Sequence, residues 1–385
     1  MKASIVVGLG FGDEGKGITT DYLCSQSSET PIVIRFSGGQ QAGHTVMLGD
    51  KKHVHSNYGS GTLRGAKSYF TEHCCIYPNT MMEERRVLLE KGVTPELIVH
   101  PFAKLTTPYD VAFNRVMERR LGHGSCGLGI AATMKRHNDT GYKTYAMDFE
   151  AHRVLYAKMD RIRDYYLMLL KNFVKTSGPL AKMANDAMIK DFNSEVEKQM
   201  PDFDKAVRNW QLFETRDYKF LRGFKNLIFE GSQGIMLDMD FGIFPNVTYG
   251  NVTSKNALEV MNKVFGGYTR EQLEIYYITR CYLTRHGTGW TPFGAGTPTL
   301  INNEEEINCY NQWQTHFKVQ EIDYPMLNYA LYIDSQYVDS RVKKNLVVTC
   351  MDQRPGFKFE YGRINQEFSK KIESHSPYSK DMRIV

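Results

Sequence analysis

Seven cysteines are scattered along 385 residues, and none stands at CxxC spacing; the one close pair is the adjacent Cys74–Cys75. This pattern excludes a disulfide framework or a zinc site as the organising device and points to a reducing compartment. Long apolar runs are also missing. No stretch approaches the ~20 residues that a membrane helix needs. The first residues, MKASIVVGLG, enter a strand pattern with no apolar leader or small-residue cleavage site. The expectation is a cytoplasmic protein with no membrane partner. Nor is charge of one sign concentrated. The 48 Lys and Arg against 43 Asp and Glu leave a net +5, and no basic block is dense enough for a nucleic-acid arm. A mild excess of this kind suits a pocket for small anions. Internal repeats and low-complexity segments are absent.

What remains is ordinary globular composition, 42% apolar and 24% charged, on a chain long enough to bury a large core. Short β-branched runs recur: SIVVG, PIVIR, NLIFE, EIYYITR and NLVVTC. Several are continuous apolar runs, as expected of strands covered on both faces. Helical stretches such as 15–25 and 254–265 lie between them. The alternation predicts an α/β fold around a mainly parallel central sheet. Residues from about 148 to 218 read differently, with helical periodicity, many charges and little strand signal. They are expected to form a helical insertion within a single domain spanning 1–385, their Tyr, Leu and Met residues serving as core.

The first chemical signal is IVVGLGFGDEGKG, residues Ile5 to Gly17. A strand that ends in glycines and turns into a helix offers free N–H groups and a positive dipole end to phosphate. Gly10, Gly15 and Lys16 fit a Walker loop, but Gly17 occupies the place of its magnesium-binding hydroxyl. Asp13 is the candidate replacement, since magnesium favours carboxylate oxygens, and it can also take a proton from a substrate. The bland alternative is a glycine-rich turn with solvated acids. A second glycine-rich loop, RFSGGQQAGHTV, follows the second strand and places Gly43 beside His44. A carbonyl at such a glycine can reach a metal, and the histidine can donate to phosphate.

GFGDEGKG followed by GGQQAGHTV resembles the paired signature of the adenylosuccinate synthetase family, whose usual forms read close to GDEGKGK and GGxNAGHT. FEGSQGIMLDMDFGIFPNVT is similar to a third family block, EGAQG…LD…GTYP(Y/F)VT. The resemblance implies a P-loop-like nucleotide site and a ligase that joins L-aspartate to C6 of a 6-oxopurine nucleotide. GTP drives the reaction with Mg2+, through a 6-phosphoryl intermediate. It implies Asp13 as general base and magnesium ligand, His44 as acid, Lys16 on the transferring phosphate and the Gly43 carbonyl on the metal. Gly12, Glu14, Gly15 and Gly17 then belong to the nucleotide loop, and Gln233 and Thr248 to the base and phosphate contacts. Homodimerisation is likewise implied.

The departures bear on substrate. Gln41 stands where asparagine is usual, offering the same donor and acceptor on a longer arm. VVTCMDQ resembles the family's TKLD segment, with Asp352 at the guanine-reading place and Cys350 where lysine is usual; SHSPYS, with Ser376, resembles STGP. These leave GTP ahead of ATP. The TTGxGxG phosphate loop appears as GSCGLGIAA, with Ser125 and Cys126 for the threonines. An arginine that reaches a neighbouring subunit has no clear match, Lys135 and Arg136 being the nearest basic residues. The arginine-rich aspartate loop is reduced to QWQTHFKVQEID, leaving His316 and Lys318, while YLTRHGTGWTPFG resembles STRVGAGPFPT and supplies Arg285. Arginine forks grip carboxylates bidentately and lysine cannot, so this loss is not neutral. IMP is the expected acceptor. The alternatives are the same chemistry on GMP or on dGMP, the latter used by a virus-encoded branch whose best-known members replace the loop acid by serine, or a nucleotide-binding regulator that has lost catalysis. A generic P-loop ATPase is disfavoured by Gly17.

Overall fold

The computed structural model describes residues 1–122, 124–175, 178–269, 271–287, 289–292, 296–301 and 317–385. Its strands, in chain order, are β1 (Lys2–Gly8), β2 (Ile32–Arg35), β3 (His44–Leu48), β4 (Lys51–His55), β5 (Lys67–Phe70), β6 (Cys75–Ile76), β7 (Leu97–Val99) and β8 (Lys104–Leu105). There follow β9 (Glu214–Thr215), β10 (Asn226–Gly234), β11 (Leu273–Arg280), β12 (Leu283–His286), β13 (Phe317–Gln320), β14 (Lys343–Thr349), β15 (Lys370–Ser374) and β16 (Met382–Ile384). The helices are α1 (Lys16–Ser25), α2 (Pro78–Glu90), α3 (Pro108–Leu121), α4 (Ile130–Asp139), α5 (His152–Lys171), α6 (Pro179–Arg208), α7 (Lys255–Phe265) and α8 (Tyr324–Ser335).

The five β-branched runs all become strands of one ten-stranded sheet, ordered β16-β15-β14-β11-β1-β10-β2-β5-β7-β9. They supply its centre, β14-β11-β1-β10-β2. The pairings there are parallel, and only β15–β16 runs antiparallel within the sheet. Their side chains alternate between two covered faces. Ile5, Val7, Phe229, Ile275, Tyr277 and Leu346 enter one core, with α7 and α8 packed over it. Val6, Val33, Ile228, Tyr276, Ile278 and Val347 enter the other, beneath Leu23 and Cys24 of α1. Burial on both sides is why these strands read as continuous apolar runs.

Between 148 and 218 lie α5 and α6, which build a third core on α3. Leu155, Met159, Ile162, Tyr166 and Leu170 recur at helical spacing on α5 and are buried with Met188, Phe192, Phe203 and Val207 of α6. The chain then rejoins the sheet edge within this stretch, where β9 pairs with β7. A two-residue strand is too short to show a period. No helix among the described residues is long and apolar enough to cross a membrane.

Strand order places the site. From β1 the chain proceeds to β2, β5 and β7 on one side, and later to β11, β14 and β15 on the other. In open parallel sheets a crevice forms at such a switch, beyond the carboxyl ends of the strands. The loop after β1 opens into it.

Candidate functional site

The loop between β1 and α1 folds around its own carboxylate. The N–H groups of Gly10 and Gly12 donate to Glu14 Oε1 at 2.9 and 2.7 Å, and Lys16 Nζ donates to Oε2 at 2.7 Å. Burial alone raises the Glu14 pKa, but Lys16 and the N–H groups outweigh it and keep the acid ionised. Glu14 is thus the anion that satisfies the loop's donors, held from behind where Thr349 Oγ1 donates to its carbonyl at 2.6 Å. Gly15 caps α1 with φ 97°, and a Cβ there would meet Thr349 Cγ2 at 2.8 Å. Asp13 is the loop's outward acid: its Oδ2 lies 3.3 Å from His286 Nε2, and its carbonyl accepts from Arg280 Nε.

Gly17 has a steric reason. A Cβ at this position would stand 2.8 Å from the Cβ of His44 and 3.2 Å from the Thr45 carbonyl. The first turn of α1 packs against the start of β3 too closely for any side chain, so the hydroxyl of a Walker loop has no room.

His44 is held from the sheet. Its Nδ1 lies 2.7 Å from Glu230 Oε1. Glu230 is fully buried in the middle of β10 and accepts also from Ser60 N at 3.1 Å and from the Ser60 hydroxyl. The Arg35 guanidinium stands 3.9 Å away. Burial opposes the ionised carboxyl, but His44, Arg35 and Ser60 hold Glu230 down at about 2. His44 moves the other way: burial disfavours the imidazolium more than Glu230 favours it. The resting pair is therefore a neutral ring donating from Nδ1 to an ionised carboxylate. Nε2 is buried with no hydrogen-bond partner among the described residues. The β3–β4 hairpin that carries His44 is anchored by Glu84, which accepts from the N–H groups of Ser56 and Asn57.

One cleft is lined by Gly12, Asp13, Gly15, Lys16, Gly17, Gly43 and His44 together with Asp352 and Ser376. The last two come from the ends of β14 and β15. Asp352 Oδ2 accepts from Gln353 Nε2 at 2.8 Å, Ser376 Oγ donates to Asp381 at 2.6 Å, and Cys350 sits between strand and turn with φ 60°. Gln41, Gln233, Ser125, Cys126 and Thr248 do not line that cleft. Gln233 follows Ser232, which is 2.9 Å from Ser37. Ser125 accepts from Asn114 at 3.0 Å in the loop before α4, tied to the Gln41 loop where Gln40 Nε2 donates to the Leu128 carbonyl at 3.0 Å. Thr248 donates its N–H to the Leu237 carbonyl at 2.8 Å. In this second group are buried polar atoms with no hydrogen-bond partner among the described residues: both amide atoms of Gln41 and Gln233 Oε1. Such groups are costly unless something polar meets them.

Residues 5–313 match the family model described as Adenylosuccinate synthetase. The chain belongs to the adenylosuccinate synthetase family. Adenylosuccinate synthetases of Coxiella burnetii (strain Dugway 5J108-111) and Streptomyces griseus are each 30% identical to it, over 78% and 79% of this chain and 65% and 67% of their own lengths. The chain thus spans about two thirds of the length of the relatives it matches. Among solved structures, fully ligated adenylosuccinate synthetase from Plasmodium falciparum aligns with TM-score 0.64 at 22% identity, covering 100% of this chain and 87% of that one. The cyanophage S-2L succinoaminodeoxyadenylate synthetase, bound to dGMP and dATP, aligns with TM-score 0.62 at 17% identity, covering 100% and 95%. At these identities the two likenesses establish the shared fold.

Within this family member, β12 and β13 pair antiparallel and set Arg285 opposite Lys318. Arg285 is buried, lies 4.3 Å over the Phe11 ring and donates to the Trp290 and Asn246 carbonyls; burial pushes its pKa down to about 10. Lys318 donates to the Gly289 carbonyl at 2.7 Å, and its pKa is lowered by burial and by Arg285. His316 lies outside the described residues. Arg136 does not suit a role at a neighbouring subunit. It is 1% exposed and grips Asp110 through Nε and Nη2 at 2.9 and 2.8 Å, so it braces α3 against α4, while exposed Lys135 pairs with Asp139. Sequence reasoning passed over Glu230, Arg35, Arg280 and His286. Glu230 and Arg35 stand inside the quoted FEGSQG and RFSGG blocks, and an acid that closes the apolar run NLIFE is the signal that marks Glu230.

Proposed function

We propose that the protein is a ligase that joins L-aspartate to C6 of a 6-oxopurine nucleoside monophosphate, IMP first, at the expense of a nucleoside triphosphate. The observation that carries this reading is His44. Its ring is oriented by an ionised buried carboxylate, its Nε2 has no hydrogen-bond partner among the described residues, and His44 lines one cleft with Lys16 and Asp13. An oxo group is a poor leaving group and a phosphate a good one, so the γ-phosphoryl is moved to O6 and then displaced by the aspartate amine.

Asp13 takes the proton from purine N1, raising negative charge on O6. Lys16 is to meet charge on the transferring phosphoryl, which requires it to leave Glu14, and Glu14 keeps the two loop N–H groups ordered. Arriving phosphates reverse the balance at His44: their charge favours the doubly protonated ring, Glu230 stabilises it, and Nε2–H is donated. Asp13 and Gly43 both line this cleft, and a carboxylate and a backbone carbonyl are hard oxygen donors that suit Mg2+. Bound there, the ion neutralises phosphate charge. Asp352 accepts from a guanine base, which favours GTP over ATP, and Ser376 borders the same end. Gln41, Gln233, Ser125, Cys126 and Thr248 hold the monophosphate, whose polar groups meet the unpartnered amides. Arg285 and Lys318 hold the aspartate carboxylates. The working unit is a cytoplasmic homodimer.

dGMP or GMP is the second reading, supported by the GSCG form of the loop at Ser125 and by the shared fold with the dGMP-bound cyanophage enzyme. Retention of Asp13 keeps IMP ahead. Incubation of IMP, GMP and dGMP in turn with aspartate, Mg2+ and GTP or ATP decides: one acceptor gives a succinylated nucleotide. Absence of an aspartate adduct from every 6-oxopurine removes the ligase reading.

A further inference from the structure

We propose that His286 is a positioning residue for Asp13, an inference that rests on the ligase reading and adds a member to its site. Strand β11 ends at Arg280, and after Cys281 and Tyr282 the chain returns as β12, so one short segment reaches the glycine-rich loop twice. Arg280 Nε donates to the Asp13 carbonyl and holds the main chain. His286 Nε2 stands 3.3 Å from Asp13 Oδ2 and holds the side chain. The two side chains are 18% and 26% exposed, enclosed enough to resist screening and open enough to face a substrate. The imidazole is itself placed: His286 pairs across β12–β13 with Phe317, and the rings lie 4.8 Å apart between centroids.

In the family segment STRVGAGPFPT a valine follows the arginine; here His286 follows Arg285. A valine offers a carboxylate nothing, whereas an imidazole N–H fixes one of its oxygens. A carboxylate serving as base must aim one oxygen at a purine N–H within a few tenths of an ångström. Holding Oδ2 from β12 restricts rotation about χ2 and leaves Oδ1 for the substrate. No proton is exchanged with His286 in this role. The effect therefore lies in kcat and in the grip of Asp13 on the metal, and nucleotide binding is left alone.

The test uses two variants of the full chain. His286→Leu keeps bulk against Phe317 without a donor; His286→Gln keeps an N–H donor at similar reach. The expected result for His286→Leu is a loss of about 10- to 100-fold in kcat, or in Mg2+ affinity of the enzyme–nucleotide complex, as for other groups that orient a ligand. Its KM for the monophosphate should stay within about threefold and its Tm unchanged, and His286→Gln should recover most of the loss. Wild-type kcat and Mg2+ affinity in His286→Leu, equal impairment of both variants, or a loss confined to KM would each overturn the proposal. Mg2+ titration by calorimetry needs no turnover. A wild-type protein that makes no adduct sinks the ligase reading, while the calorimetric comparison still decides the role of His286.

Discussion

Glu230→Gln removes one negative charge from a fully buried polar cluster and changes almost nothing in shape. In the native cluster the carboxylate is 0% exposed, receives Ser60 and His44 and faces Arg35 at 3.9 Å. Neutralising it leaves the Arg35 guanidinium buried without its counter-charge, a change that costs about 3–5 kcal/mol when one partner of a buried pair is removed. The acid side gives a separate measure of the whole cluster, since His44, Arg35 and Ser60 together hold the carboxyl down. A carboxyl lowered from 4.5 to about 2 represents about 3 kcal/mol at roughly 1.4 kcal/mol per unit. Its folded value is depressed, so this stability is fully present above pH 4.5 and is lost as pH falls toward 2. Urea unfolding of wild type and Glu230→Gln at neutral pH and at steps down to pH 3 checks both. The gap between them is expected to be widest at neutral pH and to narrow below 4.5. Turnover should fall by about 10²- to 10⁴-fold, the usual contribution of a positioned acid, because a glutamine cannot stabilise the imidazolium of His44. A variant within 1 kcal/mol (about fivefold in the folding constant) of wild type, with parallel pH curves, refutes the reasoning about the cluster.

Three further outcomes follow from single contacts. Gly17→Ser restores the hydroxyl of a Walker loop, yet its Cβ meets His44 Cβ at 2.8 Å; it should lose about 1–3 kcal/mol and gain no Mg2+ affinity, and a variant as stable as wild type sinks the steric account. Lys318→Met should raise the KM for L-aspartate by about 10- to 100-fold, the worth of a charged hydrogen bond, with nucleotide KM unchanged; an unchanged aspartate KM takes Lys318 out of that site. Cys350 holds φ 60°, a conformation disfavoured by about 1–2 kcal/mol for residues with a Cβ, so Cys350→Gly should raise Tm slightly. A fall in Tm would mean the thiol's packing outweighs the strain.

Local pattern carried the reading wherever one element contains the whole signal. The strands around Ile5, Val33, Phe229, Ile275 and Val347 announce burial on both faces through their own composition, and α5 shows its buried stripe at Leu155, Met159, Ile162 and Tyr166. The loop motifs mark Asp13, Lys16, Gly43 and His44 because backbone chemistry near glycine is itself local. Arg136 shows the limit of local pattern: in the sequence it is one of two neighbouring basic residues with no assigned partner, and Asp110, 26 residues away, turns it inward. The two-residue β9 has no period to read.

By itself the sequence determined the class of sheet, its five central strands, the family and the residue types available for chemistry, since each depends on neighbours along the chain. Tertiary structure alone decided the pairings. His44 and Glu230 are 186 residues apart and meet because β10 inserts between β1 and β2. Gly17 must be glycine because β3 crosses the first turn of α1, and Glu14 closes the glycine loop as its internal anion. Asp13 meets His286 only because β12 folds back over the carboxyl ends of the sheet. Contacts of this kind arise from strand order, which no local period encodes.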